Sequence, residues 1–129
     1  MIRYAVFALA LTVASAAPAS QQSATMQKQQ DALARTLAGL NPGKPVSCIS
    51  QRGIDNVQAY GNVLVYSHGR AQKWRNDTGG GCSHMGQDVM VSRSTMPEYC
   101  SGDIIETHDQ STGMPTGSCS LGEFVPYGK

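Results

Sequence analysis

Charge is scarce in this chain of 129 residues: Asp, Glu, Lys and Arg together make up 15%, with nine acidic side chains against ten basic ones. That near-neutral balance excludes a protein that grips nucleic acid or an anionic membrane through bulk charge. Low charge and fourteen glycines also argue against a long coiled coil. Large aliphatic residues are few. From Ala17 onward there are seventeen Leu, Ile, Val and Phe, about 15% of the stretch. So thin a core leaves many chains disordered when net charge is high, whereas this one is neutral and carries four cysteines. No apolar run reaches the ~20 residues needed to span a bilayer. Catalytic signatures are missing too: there is no G-x-S-x-G and no H-E-x-x-H.

What is present begins with an export pattern. Met1-Ile2-Arg3 is a short positive start, and Tyr4 to Ala14 is an uncharged run of eleven residues. Two A-x-A steps follow, Ala14-Ser15-Ala16 and Ala17-Pro18-Ala19, the pattern that signal peptidase accepts. Residues 1–19 are therefore expected to be a signal peptide cut after Ala16 or Ala19. The mature chain would then hold nine positive and nine negative side chains. Its expected location is periplasmic or secreted.

Cys48, Cys82, Cys100 and Cys119 all follow the cleavage sites. An even number in an exported chain reads as two disulfides, because oxidising compartments keep such bonds formed. The intervals are 33, 17 and 18 residues. A zinc site would bring a close pair such as C-x2-C, and none exists. No metal and no cofactor is implied. Four cysteines allow three pairings. Cys82–Cys100 with Cys48–Cys119 is the expected one, the first closing a short segment and the second tying the first strand to the last.

Residues 20–43 form a separate segment. Ser20 to Gln30 is polar and reads as mobile, and Met26, Leu33, Leu37 and Leu40 then fall at helical spacing. A helix from about Ser23 to Ala38 is expected, stopped by Gly39 and Asn41-Pro42-Gly43. Residues 44–129 change to short β-like runs: Val46 to Ile49, Ile54 to Tyr60, Val63 to Ser67, Ala71 to Arg75, Asp88 to Ser94, Cys100 to His108 and Ser118 to Val125. His68-Gly69 marks a hairpin turn. In Asp88–Ser94, Val89 and Val91 share one face with Met90 opposite, and either face suits a core. Ser101-Gly102 is a bend, and the Asp103 side chain is expected to hold it by accepting nearby N–H bonds. The fold class is mainly β: a small antiparallel barrel or sandwich of about six short strands, preceded by one N-terminal helix and closed by two disulfides.

Several of these pieces resemble a family of small exported, Cys-stabilised bacterial proteins of unknown function. They are Cys48-Ile49, Arg52-Gly53-Ile54-Asp55, Trp74-Arg75-Asn76, Cys82, the C-x-G-D-I piece Cys100–Ile104 and the C-x-L-G-x-F piece Cys119–Phe124. The resemblance spans roughly residues 46–127. It implies an envelope location and a Cys-stabilised domain, and it transfers no catalytic residue.

Candidate sites are weak. Thr78-Gly79-Gly80-Gly81 lacks the Lys and the helix of a phosphate loop and reads as a turn. Tyr66, Arg70, Lys73, Trp74 and Arg75, with His68, place aromatics and cations on one hairpin, the combination that stacks sugars or peptide side chains. Alternation puts Trp74 and Lys73 on opposite faces, so one set is expected to face the core. His84 and His108 are the residues a small hydrolase or metal enzyme would use. Asn76-Asp77-Thr78 is a formal glycosylation sequon. The expected function is a non-catalytic binding or structural domain, acting on an envelope protein or glycan, with inhibition of another enzyme as one form of that binding. No nucleic-acid partner is expected, nor a transmembrane segment in the mature chain.

Overall fold

A computed structural model describes residues 19–82 and 84–129, with side chains from Ala24 onward. Residues 1–18 of the expected leader lie outside the described residues.

The described residues open with α1 (Ala19–Leu37), which begins earlier than expected, so the polar Gln/Ser stretch is helical. Leu33 and Leu37 are the side chains it buries, against Val65 with Tyr60, Val63 and Tyr127 around them. Met26, at the open end of the same stripe, is 62% exposed. A hydrogen bond of 2.7 Å between Thr36 Oγ1 and the Tyr60 hydroxyl fixes the helix on its sheet.

Alternating side chains then form short antiparallel strands, ten rather than about six among the described residues. They are β1 (Asn41–Pro42), β2 (Cys48–Ser50), β3 (Asn56–Tyr60), β4 (Val63–His68), β5 (Gln72–Asp77), β6 (Val89–Ser92), β7 (Glu98–Cys100), β8 (Ile104–His108), β9 (Pro115–Ser120) and β10 (Phe124–Gly128). The described residues are thus mainly β, with one helix and three antiparallel sheets. Their orders are β1-β10-β5-β4-β3, β6-β8-β9 and β2-β7. The excess over six comes from strands of two or three residues and from the last run. Ser118 to Val125 is broken at Leu121–Glu123, so its halves join different sheets.

All three sheets contribute to one core: Leu64, Tyr66 and Phe124 from the large sheet, Ile105 and Cys119 from the three-stranded one, and Ile49 from β2. On β6, Met90 packs against this core while Val89 and Val91 point outward. α1 covers the other face of the large sheet.

The expected disulfide pairing is not the one formed. Cys48 joins Cys100 and Cys82 joins Cys119. Strand neighbours decide this: Cys48 and Cys100 are register partners in β2–β7. Cys82 and Cys119 are both buried in the core, where Cys82 Sγ also contacts the Ile105 carbonyl.

The C-x-G-D-I and C-x-L-G-x-F pieces meet in space. Gly102 N–H donates to the Leu121 carbonyl (2.8 Å), and Leu121 N–H donates to the Asp103 carbonyl (2.9 Å). Asp103 Oδ2 accepts from Cys100 N–H at 2.8 Å, holding the bend. Asn76, fully buried, donates to the Gly122 carbonyl at 2.7 Å and accepts from its N–H at 2.8 Å. A Cβ on Gly122 would lie 2.5 Å from the Asp77 carbonyl oxygen, so no larger residue fits. These motif residues are the joint between sheets, and the sequon asparagine is sealed inside it.

Candidate polar cleft

The hairpin does not present its five candidate side chains on one surface. Tyr66 and Trp74 are register partners and face the core. Tyr66 is 2% exposed, packed against Tyr99 and Phe124 at centroid distances of 5.0 and 5.4 Å. Burial pushes its phenol well above the usual range, with the nearby Tyr99 and Asp103 adding to the shift. Lys73 and Arg75 lie on the opposite face. Lys73 Nζ donates to Ser67 Oγ (3.2 Å). Arg75 Nε donates to Asp77 (2.7 Å), a hydrogen bond that raises the guanidinium pKa further. Arg70 stands exposed at the hairpin tip, and His68 Nδ1 contacts the Gly53 carbonyl. What the hairpin builds is core on one side and a seat for α1 on the other.

A different set of residues comes together beside the glycine-rich loop. After β5, Thr78 N–H and Oγ1 both donate to the Asn62 carbonyl, at 3.0 and 2.7 Å. Gly79 N–H donates to the Ser120 carbonyl at 3.2 Å. Gly81 has φ +94°, and a Cβ there would sit 2.6 Å from the Ser118 oxygen. The loop is therefore pinned to β9 as well as by the Cys82–Cys119 bond. A single turn follows, in which the His84 carbonyl accepts from Gln87 and Asp88 N–H at 2.8 and 2.9 Å. His84 itself has φ +56°, the left-handed region that non-glycine residues seldom adopt.

Between this turn, the β3–β4 turn and α1 lies a cleft of about 480 Å³. Gln29, Asn62, His84 and Gln87 line it together with Gly61, Gly81 and Gly86. Among the described residues no Asp, Glu, Lys or Arg lines it, and Cys82 in its wall is disulfide-bonded. It is a neutral array of amide, imidazole and peptide groups, able to donate and accept hydrogen bonds. Gln29, Gly61 and Asn62 also border a second hollow of about 410 Å³, where Met26, Leu33, Tyr60 and Val63 make an apolar strip ending at Arg75.

His108 lies elsewhere, on the three-stranded sheet. Its Nε2 is 3.3 Å from Glu106 Oε2 and its Nδ1 3.1 Å from the Gly113 carbonyl. Arg93 binds the same carboxylate through Nε (2.9 Å) and an Nη (3.0 Å). Hydrogen bonds from Arg93 first and His108 second hold Glu106 below the usual carboxylate range. Neither His84 nor His108 belongs to a three-ligand cluster among the described residues. The cluster that does exist is Cys48, Glu98 and Cys100, whose two sulfurs are bonded to each other.

Sequence reasoning missed Gln29, Asn62 and Gln87, because single amides on a helix and two turns form no motif. One signal was available: Gly61-Asn62 between two β runs marks a two-residue hairpin. No protein-family model, curated protein or solved structure matches this chain.

Proposed function

We propose that this is a non-catalytic exported binding domain whose cleft beside α1 holds an uncharged polar polymer, most naturally a glycan of the cell envelope. The observation that carries the reading is the neutrality of the cleft together with the apolar strip that adjoins it. Sugars present hydroxyl edges and apolar faces, and the two hollows offer amides for the first and Tyr60 with Met26 for the second. Two disulfides in a chain with few large aliphatics support an oxidising compartment. Among the described residues no helix is long and apolar enough to cross a membrane.

The test is co-sedimentation of the oxidised protein with isolated peptidoglycan, alongside a glycan array. The wild type is expected to bind and a Gln29→Ala/Asn62→Ala variant to lose at least tenfold in affinity. Equal binding by both would remove the cleft as the site. Retention of an envelope protein with no glycan bound would favour the inhibitor reading instead.

One observation favours a second reading, a small hydrolase or metal enzyme. His84 is held in a strained conformation inside the cleft, as functional residues often are. His84→Asn tolerates the same backbone region and removes the imidazole. Bound metal lost on this substitution, or on His108→Ala, would support the enzyme.

A further inference from the structure

We propose that the outer face of the β2–β7 sheet is a redox-gated metal site. Once a dithiol reductant opens the Cys48–Cys100 bond, the two thiolates and the Glu98 carboxylate bind one thiophilic divalent cation such as zinc. Cys48 and Cys100 are register partners, and Ser50 and Glu98 are the pair two residues further along. Side chains alternate along a strand, so Glu98 and Cys100 point to the same face. Ile49 and Tyr99 take the inner face and pack in the core. Cys48 and Glu98 are exposed and Cys100 is half-buried, so a reductant reaches the outer face from solvent. The donor atoms of all three residues lie within 4.8 Å of one another.

The opening step balances with an external dithiol. One of its thiolates attacks Cys48 Sγ, breaks the S–S bond and releases Cys100 as a thiolate. Its second thiolate then attacks the mixed disulfide, releasing Cys48 and leaving the reductant oxidised to its own disulfide. Two electrons pass to the pair, and the cation displaces any protons the two sulfurs carry. The strands stay aligned without the bond. Ser101 N–H donates to the Ser47 carbonyl (2.7 Å) and Gln51 N–H to the Pro97 carbonyl (3.1 Å), one on either side of the three ligands. Asp103 Oδ2 holds Cys100 N–H from the bend that follows. Thiolates of a tetrahedral zinc site, each ~2.3 Å from the metal, stand about 3.8 Å apart, a spacing that side-chain rotation supplies across a register pair. Two thiolates with one carboxylate select such a cation over magnesium or calcium and leave the fourth position to water. Bound, the ion closes again the interval of 52 residues that the disulfide had closed. Neither Cys48, Glu98 nor Cys100 lines the cleft, so the two sites stand or fall independently.

The experiment treats the oxidised protein with a mild dithiol until alkylation of a sample finds Cys48 and Cys100 free while the buried Cys82–Cys119 bond stays closed. After the reductant is removed without air, cobalt(II) is titrated in as a spectroscopic stand-in for zinc. One ion per chain is expected, with sulfur-to-cobalt charge-transfer absorption that one equivalent of zinc bleaches and magnesium leaves untouched. Glu98 is exposed, so Glu98→Gln leaves the fold intact. It should keep the absorption and weaken binding at least ~10-fold, the loss that follows when even a ligand's supporting partner is removed. No charge-transfer band, two chains per ion, equal affinity of Glu98→Gln and the wild type, or binding only after Cys82 and Cys119 are also reduced would each overturn the proposal.

Discussion

Replacing Asn76 tests the joint between the sheets. Its side chain is fully buried and closes both backbone groups of Gly122, at 2.7 and 2.8 Å. Asn76→Ala leaves that N–H and C=O unpaired at about 1–3 kcal/mol each and removes packed atoms besides. A loss of about 3–5 kcal/mol follows, a large share of the ~5–15 kcal/mol typical of small domains. With a urea slope of about 1 kcal/mol/M, the midpoint should fall by roughly 3–5 M, or the variant should fail to fold. Asn76→Asp keeps the shape and sharpens the test. It sets a carboxyl oxygen against the Gly122 carbonyl, which favours the protonated form and raises the pKa above the ordinary ~3.9. The protonated group donates as the amide did. The penalty relative to wild type is therefore small near pH 4 and grows as pH rises through the folded pKa. Urea unfolding of both variants at pH 4 and pH 7, followed by circular dichroism, measures it. A loss under ~1 kcal/mol for Asn76→Ala, or a pH-independent difference for Asn76→Asp, would refute the role given to this amide.

The disulfides should differ in reactivity. Cys48 is exposed while Cys82 and Cys119 are 6% and 5% exposed, so mild reductant followed by alkylation and peptide mapping should label Cys48 and Cys100 first. Each bond closes a loop, with separations of 52 and 37 residues, worth about 4 kcal/mol in the chain-entropy model. Replacing either pair by serine should lower the urea midpoint accordingly. Acid should erode stability in a defined way, because Arg93 and His108 hold Glu106 low and the Thr112 and Ser111 N–H groups hold Asp109 low. Their contribution is full above the unfolded carboxylate range and is lost as pH falls through the lowered values. A Glu106→Gln/Asp109→Asn variant should show a flatter melting temperature between neutral pH and pH 3. Leu33→Ala with Leu37→Ala removes the apolar anchors of α1; hydrogen exchange should speed in the helix and leave β4, β5 and β10 protected.

Much of the fold is legible along the chain where local pattern and tertiary role agree. The 63–77 hairpin is an instance: two alternating runs pair as β4 and β5, although the turn falls at residues 69–71 and His68, expected in it, closes β4 opposite Gln72. The N-terminal helix is legible from Leu33 and Leu37, although its start is not, since Gln and Ser carry no apolar period. The disulfide pairing depends on which strands become neighbours, and no interval between cysteines encodes that β2 meets β7. The break at Leu121–Glu123 is equally non-local: Gly102, Asp103 and Asn76, from distant segments, take the backbone groups that a continuous strand would have used. The cleft is least legible of all. Gln29 and Asn62 come together only because α1 docks through Leu33 and Leu37, one and two turns further along the same face, against the sheet that carries the β3–β4 turn.

The crossed order of the two sulfur bonds has an outcome for a molecule that meets proteases. Cys82 lies within the span closed by Cys48–Cys100, and Cys100 lies within the span closed by Cys82–Cys119. A single backbone cut anywhere from residue 48 to residue 119 therefore cannot separate the chain into two pieces. The nicked form keeps every part tethered and can close again around its core.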